Sequence, residues 1–197
     1  STARSTAHAI TEALNALGLL LRGGFKPTPD DALPELPDGQ VVGTLLMVGN
    51  AGPAMWRAFS ASSQALDGQP HPLNRWTRQQ VDAIAQAAGG VALYPFDAMP
   101  VWPFQRWAAR AEPVFPSPLG LLIHPQYGLW HAYRAAILVA PDFQLPAPAP
   151  SASPCATAQA VRSPVNDPGP RPKAMASRAP SVRPASASRS STAPITC

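Results

Sequence analysis

The spacing of apolar residues predicts a helix near the start of the chain and a buried strand after it. The helix is indicated by apolar side chains that recur every three or four positions, namely Ile10, Leu14, Leu17 and Leu21. Gly23-Gly24 ends this pattern, and the Pro- and Asp-rich residues 25–39 form a connection without strong periodicity. Residues 41–49 are an almost continuous apolar run, which is typical of a buried strand.

Two further helices are predicted between residues 50 and 90. Residues 49–52 have the composition of a strand-to-helix turn, with Pro53 in the first helical turn. The helix after it carries three large apolar side chains, namely Met55, Trp56 and Phe59. Thr77 has the character of a helix N-cap because Gln80 follows three positions later. That helix ends at Gly89-Gly90, after an apolar stripe formed by Val81, Ile84, Ala85 and Ala88.

Three more apolar runs predict strands. They cover residues 91–94, 119–123 and 133–139, although the frequent Ala between 132 and 140 is also compatible with a helix. The first two runs are separated by an aromatic loop that contains Phe96, Trp102, Phe104 and Trp107. The order of these elements predicts an α+β fold in which a small sheet is flanked by helices.

Composition limits the classes of protein that the chain can belong to. Its 197 residues, 46% of them hydrophobic, are enough for one domain with a core. No apolar stretch reaches the roughly 18 residues of a membrane-spanning helix, and residues 1–22 lack the pattern of a secretory signal. Both cysteines, Cys155 and Cys197, lie in the last quarter, so no disulfide framework holds the rest together. We therefore expect a cytoplasmic protein that does not associate with membranes.

The positive charge is concentrated at the C-terminal end. Residues 1–150 contain nine Lys and Arg against ten Asp and Glu, whereas residues 151–197 contain six against one. The pI of 9.6 therefore reflects this last segment, and we expect only weak, non-specific contact with nucleic acids. Ala, Ser and Pro fill 27 of its 47 positions, and such a sequence cannot offset the entropy cost of ordering. We predict a folded domain over residues 1–146 and a disordered tail over residues 147–197.

The densest group of candidate functional residues is the run from His124 to Arg134. It contains two His, one Trp, two Tyr and one Arg within eleven residues, around Gly128, which can turn the backbone. A plain core segment does not need so many aromatic side chains with polar tips. Arg134 can offer a bidentate fork to a carboxylate or phosphate, and His124 can carry a proton near neutral pH. Trp130, together with Trp102 and Phe104, could stack on a flat macrocycle or flavin ring.

Simpler interpretations of these residues stay open. His124 and Trp130 could be core residues, and Arg134 could form a structural ion pair with an acid. Candidate acids for that pair are Asp97 and Glu112. Residues 49–52 lack both the G-x-G-x-x-G pattern and the lysine of a P-loop, so they are better explained as a helix-initiating turn than as a phosphate site.

Residues 118–138 resemble the H-P-x-[FY]-G-x-W-x-x-x-R stretch of the cobalamin-processing (CblC-type) family. More broadly, residues 41–145 resemble bacterial proteins described as ferredoxin-like or 4Fe-4S proteins, which have counterparts of residues 49–52, 72–76 and 103–107. The resemblance implies a fold similar to that of flavin nitroreductases and a pocket for cobalamin or FMN. It also places the Arg134 position close to the reaction site. The cofactor-binding residues predicted on this basis are Trp102, Phe104, Arg106, His124, Gly128, Trp130 and Arg134.

The resemblance further implies a Cys-rich 4Fe-4S module after a Pro-rich linker. The linker, residues 145–154, is present and Cys155 follows it, but the other three of the four thiolates that a cluster needs are absent. The codons of residues 157–159, shifted by two bases, permit a Cys directly after Thr157, which would give C-x-x-C. We therefore hypothesise that residues from about 158 onward result from a frameshift that removed the module.

The sequence thus predicts a truncated ferredoxin-like redox protein that binds a corrinoid or flavin. Its intact relatives would take part in electron transfer, with a redox partner protein. The alternative is a non-catalytic interaction or scaffold domain, in which the aromatic loop contacts a protein partner. A nonfunctional gene product is a third possibility. Neither enzymatic activity nor the oligomeric state follows from the sequence.

Overall fold

The computed structural model describes residues 2–140, 145 and 151–154. Within them, a four-stranded antiparallel sheet has the order β1-β2-β6-β3. Its strands are β1 (Leu20–Phe25), β2 (Thr44–Ala51), β3 (Val91–Leu93) and β6 (His131–Val139). A two-stranded ribbon pairs β4 (Phe115–Pro116) with β5 (Leu122–Ile123). The helices are α1 (Thr2–Ala16), α2 (Ala54–Ser60), α3 (Ser63–Leu66), α4 (Pro72–Ala87) and α5 (Phe104–Ala111), with a 3-10 turn at Pro29–Asp31.

The predicted α+β class, with helices flanking a small sheet, is confirmed. Residue 146, the predicted domain boundary, lies outside the described residues, as do Cys155, Cys197 and almost all of the predicted tail. The frameshift hypothesis concerns the same part of the chain. The predictions for the α+β domain can therefore be compared with the structure, whereas those for the boundary and the tail stay predictions.

The two central strands, β2 and β6, are buried on both faces. One face of the sheet packs against α1, α2 and α4 through residues such as Leu14, Met55 and Val81. The other face packs against α5, chiefly through Trp107 and Ala108. Burial on both faces explains why β2 is a continuous apolar run rather than an alternation of apolar and polar residues.

The first helix is shorter than its apolar spacing predicts. It ends at Ala16, whereas the apolar spacing predicts a helix that continues to Leu21. Residues 20–25 form β1 instead. Gly18 explains the break, because its backbone is left-handed (φ 68°) and lies so close to α2 that a Cβ would be 2.3 Å from the carbonyl carbon of Ala54. The apolar residues beyond Gly18 therefore pair as a strand.

Other boundaries also differ from the predictions. The helix expected to start at Thr77 starts at Pro72, and Thr77 is buried in its interior. Part of the predicted aromatic loop is helix α5, and only residues 122–123 of the predicted strand 119–123 are paired. Residues 133–139 do form a strand, so the helical alternative for them is wrong. These residues form a strand because they pair with β2 on one side and β3 on the other. The Ala-rich sequence alone does not specify these partners.

Each of the two strands that flank β2, namely β1 and β6, contains a β-bulge. In β1, the pairing shifts between Leu21 and Gly24, which leaves one extra residue on that strand. In β6, Tyr133 pairs with Gly49 and Ala135 pairs with Val48, so that Arg134 is the extra residue. A bulge re-aims the side chains around it. Tyr133 therefore packs on the α5 face although Ala135, two residues later, packs on the opposite face.

We expect Gly49→Ala to lower the free energy of unfolding by about 3 kcal/mol, because overpacking at a constrained site is costly. A Cβ at this position would lie 2.4 Å from the carbonyl oxygen of Ala132 and 3.2 Å from Cγ of Arg22. Gly120→Ala is the matched control, since its φ of 73° is unfavourable for Ala but a Cβ would meet open space. Urea unfolding of both variants measures the difference, and equal losses would mean that the close approach of Ala132 to Gly49 does not exclude a side chain there.

Candidate functional site

A buried ion pair lies beneath the run from His124 to Arg134. Arg22 of β1 is 3% exposed, and its Nη2 donates to Glu112 Oε1 at 2.5 Å while its Nε donates to Oε2 at 3.1 Å. Glu112 caps the C-terminal end of α5. The hydroxyl of Tyr133 donates to the same carboxylate, and burial together with this hydrogen bond raises the pKa of Tyr133. The pair thus joins β1, α5 and β6.

Aromatic rings surround the guanidinium of Arg22. Its central carbon lies 5.2 Å from the ring centre of Tyr127 and 5.0 Å from that of Tyr133, within the range of cation–π attraction. The ring of His124 stacks on that of Tyr127, with 4.4 Å between centres. His131 lies 3.3 Å from Arg22 through Nδ1 and 3.0 Å from the carbonyl oxygen of Leu122 through Nε2. These contacts attach the turn after β5 and the start of β6 to the ion pair.

Arg134 lies on the opposite face of the sheet. Its Nε donates to Oδ1 of Asn50 at 3.0 Å, and Asn50 shares the face of Val48 by the alternation of β2. Within the described ranges no carboxylate forms an ion pair with Arg134, and burial lowers the pKa of its guanidinium. The alternative ion pair of Arg134 with Asp97 or Glu112 is therefore wrong. Of the two candidate acids, Glu112 is paired with Arg22 and Asp97 is paired with Arg78.

The remaining residues of the run differ in exposure. His124 is buried, at 8% exposure, and forms backbone pairs with Gly128 in both directions. Trp130 is 86% exposed, so its interpretation as a core residue is wrong. Its backbone N–H donates to the carbonyl oxygen of Tyr127, which places it at the end of the turn and directly before β6. The turn thus presents a large aromatic ring to solvent.

Trp102, Phe104 and Arg106 lie together elsewhere, at the N-terminal end of α5. With Pro95, Pro103 and Gln105 they line a depression of about 470 Å³. Trp102 and Phe104 pack against Trp107 on the α5 face of the sheet, with ring centres 5.9 and 5.4 Å away. The structure therefore divides the predicted cofactor-binding residues between the two faces of the sheet. Their role in binding a cofactor stays a prediction.

Sequence reasoning missed the polar residues that organise this region. Arg22 carried one local signal, since it interrupts the apolar run Leu19-Leu20-Leu21 and precedes two glycines. Asn50 appeared only as part of a turn, and Glu112 only as a possible partner of Arg134. Their pairing with Arg22 and Arg134 joins residues 84 or more positions apart. No local sequence pattern indicates which residues pair across so many positions.

The rest of the described surface offers few groups that could bind a charged ligand or a metal ion. A groove of about 510 Å³ between α1 and α4 is lined by apolar residues together with Ser5, Thr6 and Gln80, and contains no charged side chain. Across residues 2–140, 145 and 151–154, no group of three or more His, Cys, Asp or Glu is arranged to hold a metal ion. In the same ranges no helix has the length and apolar character needed to cross a membrane.

The fold is similar to that of a solved protein from C. elegans, the B12-trafficking protein CblC, which is a homologue of human MMACHC. The TM-score is 0.52, over 76% of this chain and 77% of that chain, at 16% sequence identity. The sequence matches no family profile and no curated protein. At this identity the similarity shows the fold, which is CblC-like, as the H-P-x-[FY]-G resemblance implied. It gives no support to a ferredoxin or 4Fe-4S module.

We expect Glu112→Gln to lower the free energy of unfolding by about 3–5 kcal/mol, because it leaves the buried charge of Arg22 without a counter-ion. Asp67→Asn is the matched control, since it removes one partner of the exposed pair between Asp67 and Arg75 and should change stability little. Urea unfolding at neutral pH compares the two variants. A small loss for Glu112→Gln would mean that the buried pair does not hold the three elements together.

Proposed function

We propose that this chain binds a corrinoid against the face of the sheet that carries Arg134. The observation that carries the proposal is a half-buried guanidinium that no carboxylate neutralises among the described residues. Arg134 is the extra residue of a β-bulge, its Nε donates to the neutral amide of Asn50, and the exposed ring of Trp130 lies in the turn four residues before it. The CblC-like fold supports the choice of ligand class.

The chemistry of these side chains fits such a ligand. A partly buried cation without a counter-ion is unfavourable in the free protein, so an anionic or strongly hydrogen-bonding ligand group gains affinity by contacting it. Cobalamin carries a phosphate and several amide side chains that can accept from Arg134. Trp130 offers a flat ring that can cover a macrocycle. When bound, the corrinoid would supply the redox and ligand-exchange chemistry of its cobalt, while these residues would bind and orient it.

The proposal extends to the supply of electrons. The chain has two cysteines against the four thiolates that a 4Fe-4S cluster requires, so we propose that electrons reach a bound cofactor from a separate redox partner protein. We place this exchange in the cytoplasm, where thiols stay reduced. The ferredoxin-like character predicted for intact relatives would then belong to the partner.

Equilibrium dialysis with cyanocobalamin tests the binding proposal. We expect Arg134→Ala to weaken binding about tenfold or more, since charge-assisted hydrogen bonds contribute about 1.5–3 kcal/mol. Arg134→Lys should recover only part of the affinity, because Lys keeps the charge but loses the planar fork. Arg75→Ala is the control, as Arg75 is already paired with Asp67 at the surface.

Three other outcomes would lead to a different conclusion about the ligand or its site. If Arg106→Ala weakens binding and Arg134→Ala does not, the ligand occupies the depression at the start of α5 instead. Binding of FMN but not of cyanocobalamin would favour a flavin. If neither ligand binds, the scaffold alternative is favoured, and the aromatic loop, with the exposed side chains of Met99 and Val101, would be its candidate contact surface.

A further inference from the structure

The turn between β5 and β6 is closed by the side chain of His124. Its Nδ1 accepts hydrogen bonds from the backbone N–H groups of Gln126, at 3.1 Å, and Tyr127, at 3.3 Å. A ring nitrogen that accepts two hydrogen bonds carries no proton, so the proton of this imidazole is on Nε2. The neutral form of His124 is therefore part of the structure of the turn.

The neighbouring His131 is held in the same tautomer. Its Nδ1 faces Nη2 of Arg22, which can only donate, so Nδ1 must accept. Its Nε2–H then donates to the carbonyl oxygen of Leu122 at 3.0 Å. Protonation of Nδ1 on either ring would thus remove a hydrogen bond, and on His131 it would also place two cations against each other.

Charged and titratable groups face His124 from every element packed around it. Glu112 at the end of α5 lies 3.6 Å from its Nε2, Arg22 approaches from β1, His131 lies on β6, and Tyr127 stacks on it within the turn. Burial, Arg22 and His131 lower the pKa of His124, and Glu112 raises it; the net direction is downward. The pKa of His131 is also lowered, chiefly by burial. The carboxylate is shared with Arg22, so it only partly offsets the cost of protonation.

We propose that His124 is a positioning residue for the ligand site and that its protonation opens the turn and releases the ligand. The turn runs from His124 through Gly128 to Trp130 and leads directly into the strand that carries Arg134. Loss of the two hydrogen bonds to Nδ1 would free Trp130 and the start of β6 together. The release of ligand rests on the proposed function, whereas the opening of the turn does not.

The direction of the pH dependence follows from the lowered pKa values. Because the folded-state pKa of each histidine lies below its ordinary value near 6.5, the closed turn keeps its full stabilisation above about pH 6.5. That stabilisation is lost as the pH falls through the folded-state pKa. Acid therefore favours the open turn.

His124→Asn provides a variant that keeps the cap and removes the titration. An Asn side-chain oxygen accepts from backbone N–H groups two and three residues later, as in Asx turns. His124→Ala removes both properties. In ligand-free protein, we expect the amide NMR signals of Gln126 and Tyr127 to titrate as the pH is lowered stepwise from about 7.5 in the natural sequence, to stay constant in His124→Asn, and to be shifted at every pH in His124→Ala.

The same pair of variants separates this inference from the proposed function. Below the midpoint of that titration we expect the affinity for cyanocobalamin to fall by up to about tenfold per pH unit in the natural sequence and by less than about twofold in His124→Asn. A pH-dependent turn without any cobalamin binding would overturn the proposed function alone. Amide signals with the same pH response in the natural sequence and in His124→Asn would overturn the positioning role, as would a proton found on Nδ1 by imidazole nitrogen NMR at neutral pH.

Discussion

The ion pair between Arg22 and Glu112 is the interaction on which this region depends. Two opposite charges are buried at 3% and 12% side-chain exposure, and each would be costly without the other. The pair brings together β1, the end of α5 and β6, three elements that are far apart along the chain. Tyr133, His131 and the turn that begins at His124 are arranged around it. Its geometry therefore sets the position of the whole run from His124 to Arg134.

The two bulged arginines have opposite electrostatic surroundings. Arg22 has a carboxylate partner and lies against two aromatic rings, so its charge is neutralised within the protein. Arg134, across the sheet, has the neutral amide of Asn50 as its hydrogen-bond acceptor. The bulge in β1 lies opposite the stretch from Leu46 to Val48 of β2, and the bulge in β6 lies opposite Val48 and Gly49. The two bulges thus carry one guanidinium with a carboxylate partner and one that has no such partner among the described residues.

The relation to CblC is one of architecture. At 16% identity, similar folds share the arrangement of the sheet and helices while most side chains differ. A fold of this kind can host different functions, so the proposed corrinoid site depends on Arg134, which no carboxylate of the described residues neutralises, and on the exposed ring of Trp130 in the preceding turn. The tautomers of His124 and His131 add a property that the fold alone does not imply, because it arises from particular hydrogen bonds.

The sequence by itself determined the features that depend on local pattern. A continuous apolar run identified β2, the paired glycines marked the end of α4, and the density of polar aromatics marked the segment that begins at His124. Tertiary structure decided the rest. The partner of Arg22 lies 90 positions away, and the bulge that aims Arg134 exists only once β6 pairs with β2. The spacing of residues along the chain indicates which side chains share one face of a helix or strand. The pairing register of strands and the neutralisation of a buried charge depend on which other elements pack against that face.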